Sequence, residues 1–527
     1  MKKIIKLLGV LIFLTGFVIF LMALREQRFT LMPHVVESVI VNPYHKQLIK
    51  SVDYEMLEEQ YESREAFVNR LERMFRDVKI VEGLNTNNTS SEIQKNSTPL
   101  SEYDINKYIF ELTLASQLGG IIVESSWWLR MTFGLMMLGA LLYIFTGLYE
   151  SPESNNSGVW QQSFQNRGLF GLLTGSFLIG FYIVLYWFPL YITSWIHLAD
   201  PLSRSLNGNN AGQWFLYGAM YTLAILVMGT RMLIRYRHDR YQIFRTISVM
   251  FFQTAFAFII PEILSSLNKP RFDFKDMWPL KYDFFFEWNL NTLLQSGHIG
   301  VFMLVWGIVL FVVAVPVFTW FFGKRWYCSW VCGCGALAET AGDPFRQLSN
   351  KKLFAWRKER YLIYAILIFV IVMTLLVLYT FFTGSANIGP LNSYDVRKWY
   401  GFLIGSVFAG VIGVGFYPLM GNRVWCRFGC PLAAYMGIIQ KFRSRFRITV
   451  NGDQCISCGN CSAYCEMGID VRAYAQNGQD VVRASCVGCG ICVAVCPRGV
   501  LSLENASEDI SKRGNIKRTI KLNLDDI

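Results

Sequence analysis

Eight apolar stretches punctuate the chain, near residues 4–24, 127–148, 169–196, 214–234, 246–265, 299–322, 361–383 and 400–420. About 20 helical residues cross a hydrocarbon core of roughly 30 Å, so each stretch predicts a transmembrane helix. The first follows Met-Lys-Lys-Ile-Ile-Lys, and its long apolar run ends in Met-Ala-Leu-Arg-Glu-Gln without a small-residue cleavage site. That predicts a retained signal anchor. Beyond it, Leu57, Tyr61, Val68, Leu71, Phe75 and Val78 recur at helical spacing among charges, predicting an amphipathic helix on a small core. The polar run over 83–101 reads as a linker. The pattern divides the chain into an anchor helix (1–24), an exterior, periplasmic domain (25–126), a transmembrane core (127–448), a compact segment (449–505) and a polar basic tail (506–527).

Composition supports a membrane chain: 53% of the 527 residues are hydrophobic and 17% charged, against about 25% charged in soluble domains. Fifty basic and 38 acidic residues leave a net charge of +12. No basic and aromatic motif stands apart from the apolar runs, so nucleic acid is not an expected partner; the bilayer is. Lys2, Lys3 and Lys6, then Arg231, Arg235, Arg237 and Arg240, then Lys324 through Arg360, and Arg423 onward fall on one side. The positive-inside rule makes that side cytoplasmic, with the N-terminus and the 449–505 segment on it. The 266–298 loop, where Lys269, Arg271, Lys275 and Lys281 are balanced by nearby acids, is expected on the exterior.

The cysteines give the chemistry. All thirteen lie beyond residue 327, and eight crowd between Cys455 and Cys496, which excludes a disulfide scaffold and points to metal ligation. Cys455-Ile-Ser-Cys458-Gly-Asn-Cys461-Ser-Ala-Tyr-Cys465 and Cys486-Val-Gly-Cys489-Gly-Ile-Cys492-Val-Ala-Val-Cys496 are two C-x-x-C-x-x-C-x-x-x-C runs. Small Ser457, Gly459, Gly488 and Gly490 let each loop wrap a cubane and aim amides at its sulfurs. In two-cluster ferredoxins the fourth cysteine serves the other cluster. Cys455, Cys458, Cys461 and Cys496 are therefore expected on one [4Fe-4S] cluster, and Cys486, Cys489, Cys492 and Cys465 on the second. Zinc rarely uses paired runs of this spacing. The fold class is thus an α-helical polytopic membrane protein with about eight transmembrane helices, a small, mostly helical exterior domain and a C-terminal α+β two-cluster ferredoxin domain. Saturated clusters leave electron transfer as the chemistry there. Pro497 closes the second run where the first has Glu466, whose carboxylate is expected to lower the potential of a neighbouring cluster slightly.

An internal repeat marks the ends of the sixth and eighth spans. Gly323-Lys-Arg-Trp-Tyr-Cys-Ser-Trp-Val-Cys332-Gly aligns with Gly421-Asn-Arg-Val-Trp-Cys-Arg-Phe-Gly-Cys430-Pro at an offset of 98 residues. Two helical hairpins are then copies of one unit. Cys328 with Cys332 and Cys426 with Cys430 stand at i and i+4; on helices each pair shares a face, and the repeats together present four thiols. A redox dithiol, a copper or zinc site, support of the electron path and plain packing of small buried residues are the alternatives. Cys334 has no counterpart and reads as incidental. His197, Glu262 and His298 fall towards exterior helix ends. Glu262 is a candidate to take a proton from a quinol, with snorkelling to the headgroups as the ordinary alternative; the two histidines are weak haem candidates, and Arg130 reads as snorkelling.

These motifs together resemble the NosR/NapH-type polyferredoxin family, over about 165–500, with the cysteine runs and Trp425-Cys426-Arg427-Phe428-Gly429-Cys430-Pro431 as the specific part. The resemblance implies a quinol-dehydrogenase type of role in anaerobic respiration, in the bacterial cytoplasmic (inner) membrane. Electrons would pass between the quinone pool and an exterior, periplasmic redox protein, or come from a cytoplasmic electron donor. Gly333 stands where the family commonly has proline, and no flavin-attachment sequence is present, so a covalent flavin is not expected. The rival readings are a copper-reducing or metal-handling assembly factor, acting through the C-x-x-x-C cysteines, and a redox-sensing regulator.

Overall fold

The computed structural model describes residues 2–24, 28–50, 58–88, 99–117, 126–149, 168–451 and 454–505. Leu57, most of the polar linker and the 506–527 tail lie outside the described residues. Among the described residues, seven helices are long and apolar enough to cross a membrane: Lys2–Met22, Arg130–Leu148, Gln213–Arg235, Arg240–Ser266, Gly297–Phe322, Leu353–Thr383 and Ser393–Gly415. The stretch expected as one span over 169–196 is bent by 110° between Gly171–Trp187 and Pro189–Leu198, and makes an eighth only if the bent pair is counted as one. Pro189 explains the break: it lacks an N–H and pushes the preceding Phe188 out of the helical region, to φ −130°. Two of the long helices carry a wide π-helical stretch just before a proline, Phe252–Ile259 before Pro261 and Leu310–Ala314 before Pro316. A widened turn relieves the clash of a proline ring with the carbonyl four residues back.

The chain divides into two compact units, Met1–Tyr143 with Val184–Tyr217, and Ile144–Ile183 with Gly218–Ile527. In the first, Lys2–Met22 meets the helix from Ser126 across Gly9, Gly16 and Gly139, where any Cβ would strike the opposite backbone. The segment following the first helix has its own core of Phe29, Leu31, Phe67, Leu71, Phe75, Val78, Ile109 and Leu112. Helix Arg64–Asn88 supplies the expected apolar face and runs on into what the sequence suggested was linker, while Tyr61 pairs in a two-residue strand instead of joining the helix. Helix Glu102–Ala115 starts at a capping box between Ser101 and Asp104.

In the second unit the segment 267–286 is not a plain exterior loop. The Trp278 indole donates to Thr374 Oγ1 (2.9 Å), about two-thirds of the way along Leu353–Thr383, and its ring lies edge-on to Phe311 at 4.6 Å, the middle of Gly297–Phe322. The segment therefore folds back among the spans. Lys275 is buried there, bonded to Asp273 (2.5 Å) and Asp276 (3.4 Å). The C-terminal segment closes as a two-stranded antiparallel sheet, Phe446–Val450 with Leu501–Asn505, around three short helices. It shares one buried core with the membrane-end turns, containing Cys328, Cys332, Cys430, Cys461, Cys486 and Cys492.

Candidate iron–sulfur centres and membrane-end cysteines

The two cysteine runs fold alike at an offset of 31 residues. Gly459 and Gly490 both start a short helix with φ near +80°, at +81° and +76°, and Ser457 takes the left-handed region (φ +58°) where its counterpart is Gly488 (φ +68°). These turns curl each run around a central space. Around one space stand Cys455, Cys458, Cys461 and Cys496, which line a single cavity. Cys492 faces Cys489, Cys465 and Cys486 in the other. The fourth cysteine of each run thus crosses to the other group. Cys458 is exposed, whereas Cys486 and Cys492 are buried. Burial pushes the Cys461, Cys486 and Cys489 thiols up to about 12, so cluster binding there must release protons.

The repeat at the membrane ends is also visible atom by atom. Gly323 (φ +63°) and Gly421 (φ +94°) make the same left-handed turn out of a helix. The Cys332 and Cys430 amides then bond to the carbonyls of Tyr327 (2.8 Å) and Trp425 (2.9 Å). Each second cysteine adopts an extended backbone and caps a new helix, Gly333–Glu339 or Pro431–Arg443. The Cys430 sulfur accepts the Ala433 amide (3.4 Å). The helix is interrupted between the two cysteines of each pair, so they do not share a helix face as their spacing suggested. The turn gathers them instead: Cys430 faces Cys426, Cys328 and Cys332, and all four are buried. Cys334, expected to be incidental, lies beside Cys332.

Among the described residues no three His, Cys, Asp or Glu side chains converge as tightly as one metal ion requires, since zinc holds sulfur at about 2.3 Å. This holds for the ferredoxin-type cysteines too, which suits sulfurs set apart to hold a four-iron cluster.

A buried chain of charges packs against these cysteines, and local sequence gave no sign of it. Arg245 pairs with Glu339, which also pairs with Arg423; Arg423 reaches Glu466 (3.0 Å), Glu466 accepts from Arg346 (2.7 Å), and Arg346 from its other side meets Asp343 (3.2 Å). Asp343 also holds Arg231 (2.9 Å) and Arg235. Burial would raise the Asp343 carboxyl, but Arg235, Arg346 and Arg231 outweigh it and hold the group far below the usual carboxylate range. Glu466 is lowered in the same way: burial is offset by Arg346, Arg423 and Arg245. Its negative charge acts on the Cys489 and Cys486 thiols, and within the chain of ion pairs five arginines face three carboxylates.

The other candidates have ordinary partners. Glu262 is buried and paired with Arg271, so it does not snorkel. His197 Nδ1 lies 2.8 Å from Asp200 and Nε2 2.9 Å from the Leu114 carbonyl, which occupies both ring nitrogens. His298 and Arg130 are exposed.

Fold and cysteine geometry define a membrane-helical protein with a two-cluster ferredoxin domain. The 4Fe-4S dicluster domain model matches residues 448–503, and a 4Fe-4S binding domain model matches twice, at 304–352 and 402–449. The two latter matches start 98 residues apart, the offset of the membrane-end repeat. The chain is 27% identical over 156 residues to the putative electron transport protein YccM of Escherichia coli (strain K12), covering 28% of this chain and 43% of that one. It is 27% identical over 176 residues to the methylamine utilization ferredoxin-type protein MauN of Methylobacillus flagellatus, covering 33% and 58%, and 26% identical over 190 residues to an uncharacterized protein of Methanocaldococcus jannaschii, covering 34% and 72%. The first two matches span about half the length of those relatives. No solved structure matches. These findings fit a polyferredoxin-type membrane electron-transfer family, and iron–sulfur electron transfer is the coarse function they support.

Proposed function

We propose that the protein relays single electrons across part of the bacterial cytoplasmic membrane, between the quinone pool and a redox partner, through three iron–sulfur centres. Cys455, Cys458, Cys461 and Cys496 hold the outermost, Cys465, Cys486, Cys489 and Cys492 the next, and Cys328, Cys332, Cys426 and Cys430 the third. A bound cluster supplies reversible one-electron storage; the chain gathers the sulfurs, buries those at the membrane end and places arginines beside them. The observation that carries this reading is the single buried core shared by the ferredoxin loops and both membrane-end turns. The basic residues favour the ferredoxin domain on the cytoplasmic side and a periplasmic redox protein as the exterior partner.

The test is anaerobic purification, reconstitution in liposomes and addition of a reduced menaquinol analogue, with electron paramagnetic resonance on the clusters. Reduced-cluster signals, lost in Cys486→Ser, support quinone-linked transfer. Clusters that ignore quinol but accept electrons from a soluble reductant reverse the direction. Roughly one copper per chain at the membrane-end thiols, in place of extra iron, transfers the reading to the copper-reducing assembly factor. Glu262→Gln separates the two uses of that carboxylate: a proton acceptor loses quinol oxidation, whereas a structural partner of Arg271 loses stability alone.

A further inference from the structure

The residues next to the cluster ligands and the residues next to the membrane-end cysteines bond to one another. Ser329, one residue after Cys328, donates its hydroxyl to the carbonyl of Val487 (3.1 Å), one residue after Cys486. Arg427, one residue after Cys426, donates Nε to Glu359 Oε2 (2.8 Å), and the other oxygen of Glu359 accepts from Ser485, one residue before Cys486. Ser329 and Arg427 stand 98 residues apart, at the same place in the repeat. A third link runs from Glu466, one residue after Cys465, through Arg423 Nε (3.0 Å), whose Nη1 reaches the Cys328 carbonyl (3.2 Å) and the Cys426 sulfur (3.8 Å). Ser329, Val487, Glu359, Arg423, Arg427 and Glu466 are all buried. The neighbours of the other ligand set bond inward to their own domain: Gln476 to Ser457 (2.7 Å) and Ser462 to Asp470 (2.7 Å).

We propose that Ser329, the Arg427–Glu359–Ser485 link and Arg423 are the contacts that couple electrons between the centre on Cys465, Cys486, Cys489 and Cys492 and the centre on the four membrane-end cysteines. The proposal rests on the reading that those four cysteines hold a redox cluster. Electrons tunnel better along covalent bonds and hydrogen bonds than across van der Waals gaps. The Ser329 hydroxyl closes the path from Cys486 to Cys328 with a single hydrogen bond. In the transfer step one cubane core goes from the 1+ to the 2+ state while the other goes from 2+ to 1+, and no proton moves or covalent bond changes. The plain alternative is that these bonds only dock the ferredoxin domain on the spans. It predicts that losing one of them loosens the interface and leaves the transfer rate alone.

The experiment compares the anaerobically loaded full chain with Ser329→Ala, Ser329→Thr and the Ser329→Ala/Glu359→Gln double variant. Each is photoreduced with a deazaflavin flash and freeze-quenched for electron paramagnetic resonance. Amide exchange over 484–488 and iron content are measured alongside. We expect transfer between the two centres to slow several-fold in Ser329→Ala, further in the double variant, and to return in Ser329→Thr. Exchange in Ser329→Ala and the iron content stay near wild type. Unchanged transfer in a fully loaded double variant overturns the proposal, as does slowing that tracks the loss of exchange protection. The wild type distinguishes the two layers: roughly twelve irons per chain and a third signal uphold the three-centre reading, while roughly eight irons overturn both.

Discussion

Replacing Glu466 with glutamine removes one negative charge from the buried chain of ion pairs while keeping the side chain's size. The carboxylate bridges Arg346 (2.7 Å) and Arg423 (3.0 Å) and accepts from Asn422 (3.2 Å). Glutamine keeps one acceptor oxygen and turns an amide N–H₂ towards the second guanidinium. Removing one partner from a buried pair costs about 3–5 kcal/mol. Arg346 retains Asp343 and Arg423 retains Glu339, so the lower end, about 3 kcal/mol, is expected here. That is about a hundredfold in the equilibrium for local opening. Amide hydrogen exchange on the cluster-loaded protein in detergent, followed over residues 464–470, reads it directly. Protection there is expected to fall about a hundredfold in Glu466→Gln, and to recover in part when Arg346→Met removes the orphaned charge as well. Protection within about threefold of wild type in the single variant would refute the reasoning, because Glu466 would then contribute little more than a surface ion pair does.

Gly421→Ala forces a Cβ onto a backbone at φ +94° and against the Ser349 amide nitrogen, 2.8 Å away; a loss of about 1–3 kcal/mol is expected, visible as earlier thermal bleaching of the clusters. Asp343 has a depressed folded-state pKa, so its contribution is present above the ordinary carboxylate range and is lost only as pH falls through the lower, folded value. Acidification from pH 7 to about 4 should therefore leave the protection factors over 343–348, exchange corrected for its intrinsic pH dependence, unchanged, whereas Asp343→Asn should lower them already at pH 7. After removal of iron by a chelator, iodoacetamide should label exposed Cys458 first, with Cys328, Cys332, Cys426 and Cys430 reacting only in denaturant; early labelling of the buried four, read by mass spectrometry, would show that the membrane-end site opens without its cluster.

The spans and the ferredoxin runs were legible because their signals are local: a hydropathy window, and cysteines spaced by two and three residues. The membrane-end repeat was legible as a pattern but its geometry was not, because an i, i+4 spacing says nothing of the break that follows Cys328 or precedes Cys430. The charge chain was hidden for a different reason. Its partners, Arg245 with Glu339 and Arg346 with Glu466, lie 94 and 120 residues apart, and no local period links them. The re-entry of 267–286 did leave a trace. Phe272, Phe274, Met277, Trp278 and Phe284–Phe286 make this segment too aromatic for a water-exposed loop, and its charges drew attention away from that.

Each hairpin of the repeat supplies two of the four membrane-end thiols, so neither hairpin alone would complete the proposed third centre. A chain with one hairpin would reach four sulfurs only by pairing face to face with a second copy of itself, and its site would fill and empty with protein concentration. Tethering both halves in one chain turns that encounter into an intramolecular one, independent of protein concentration. It also frees the two halves to diverge. Position 329 is now a small hydroxyl and position 427 a guanidinium, a difference that two identical copies could not have made.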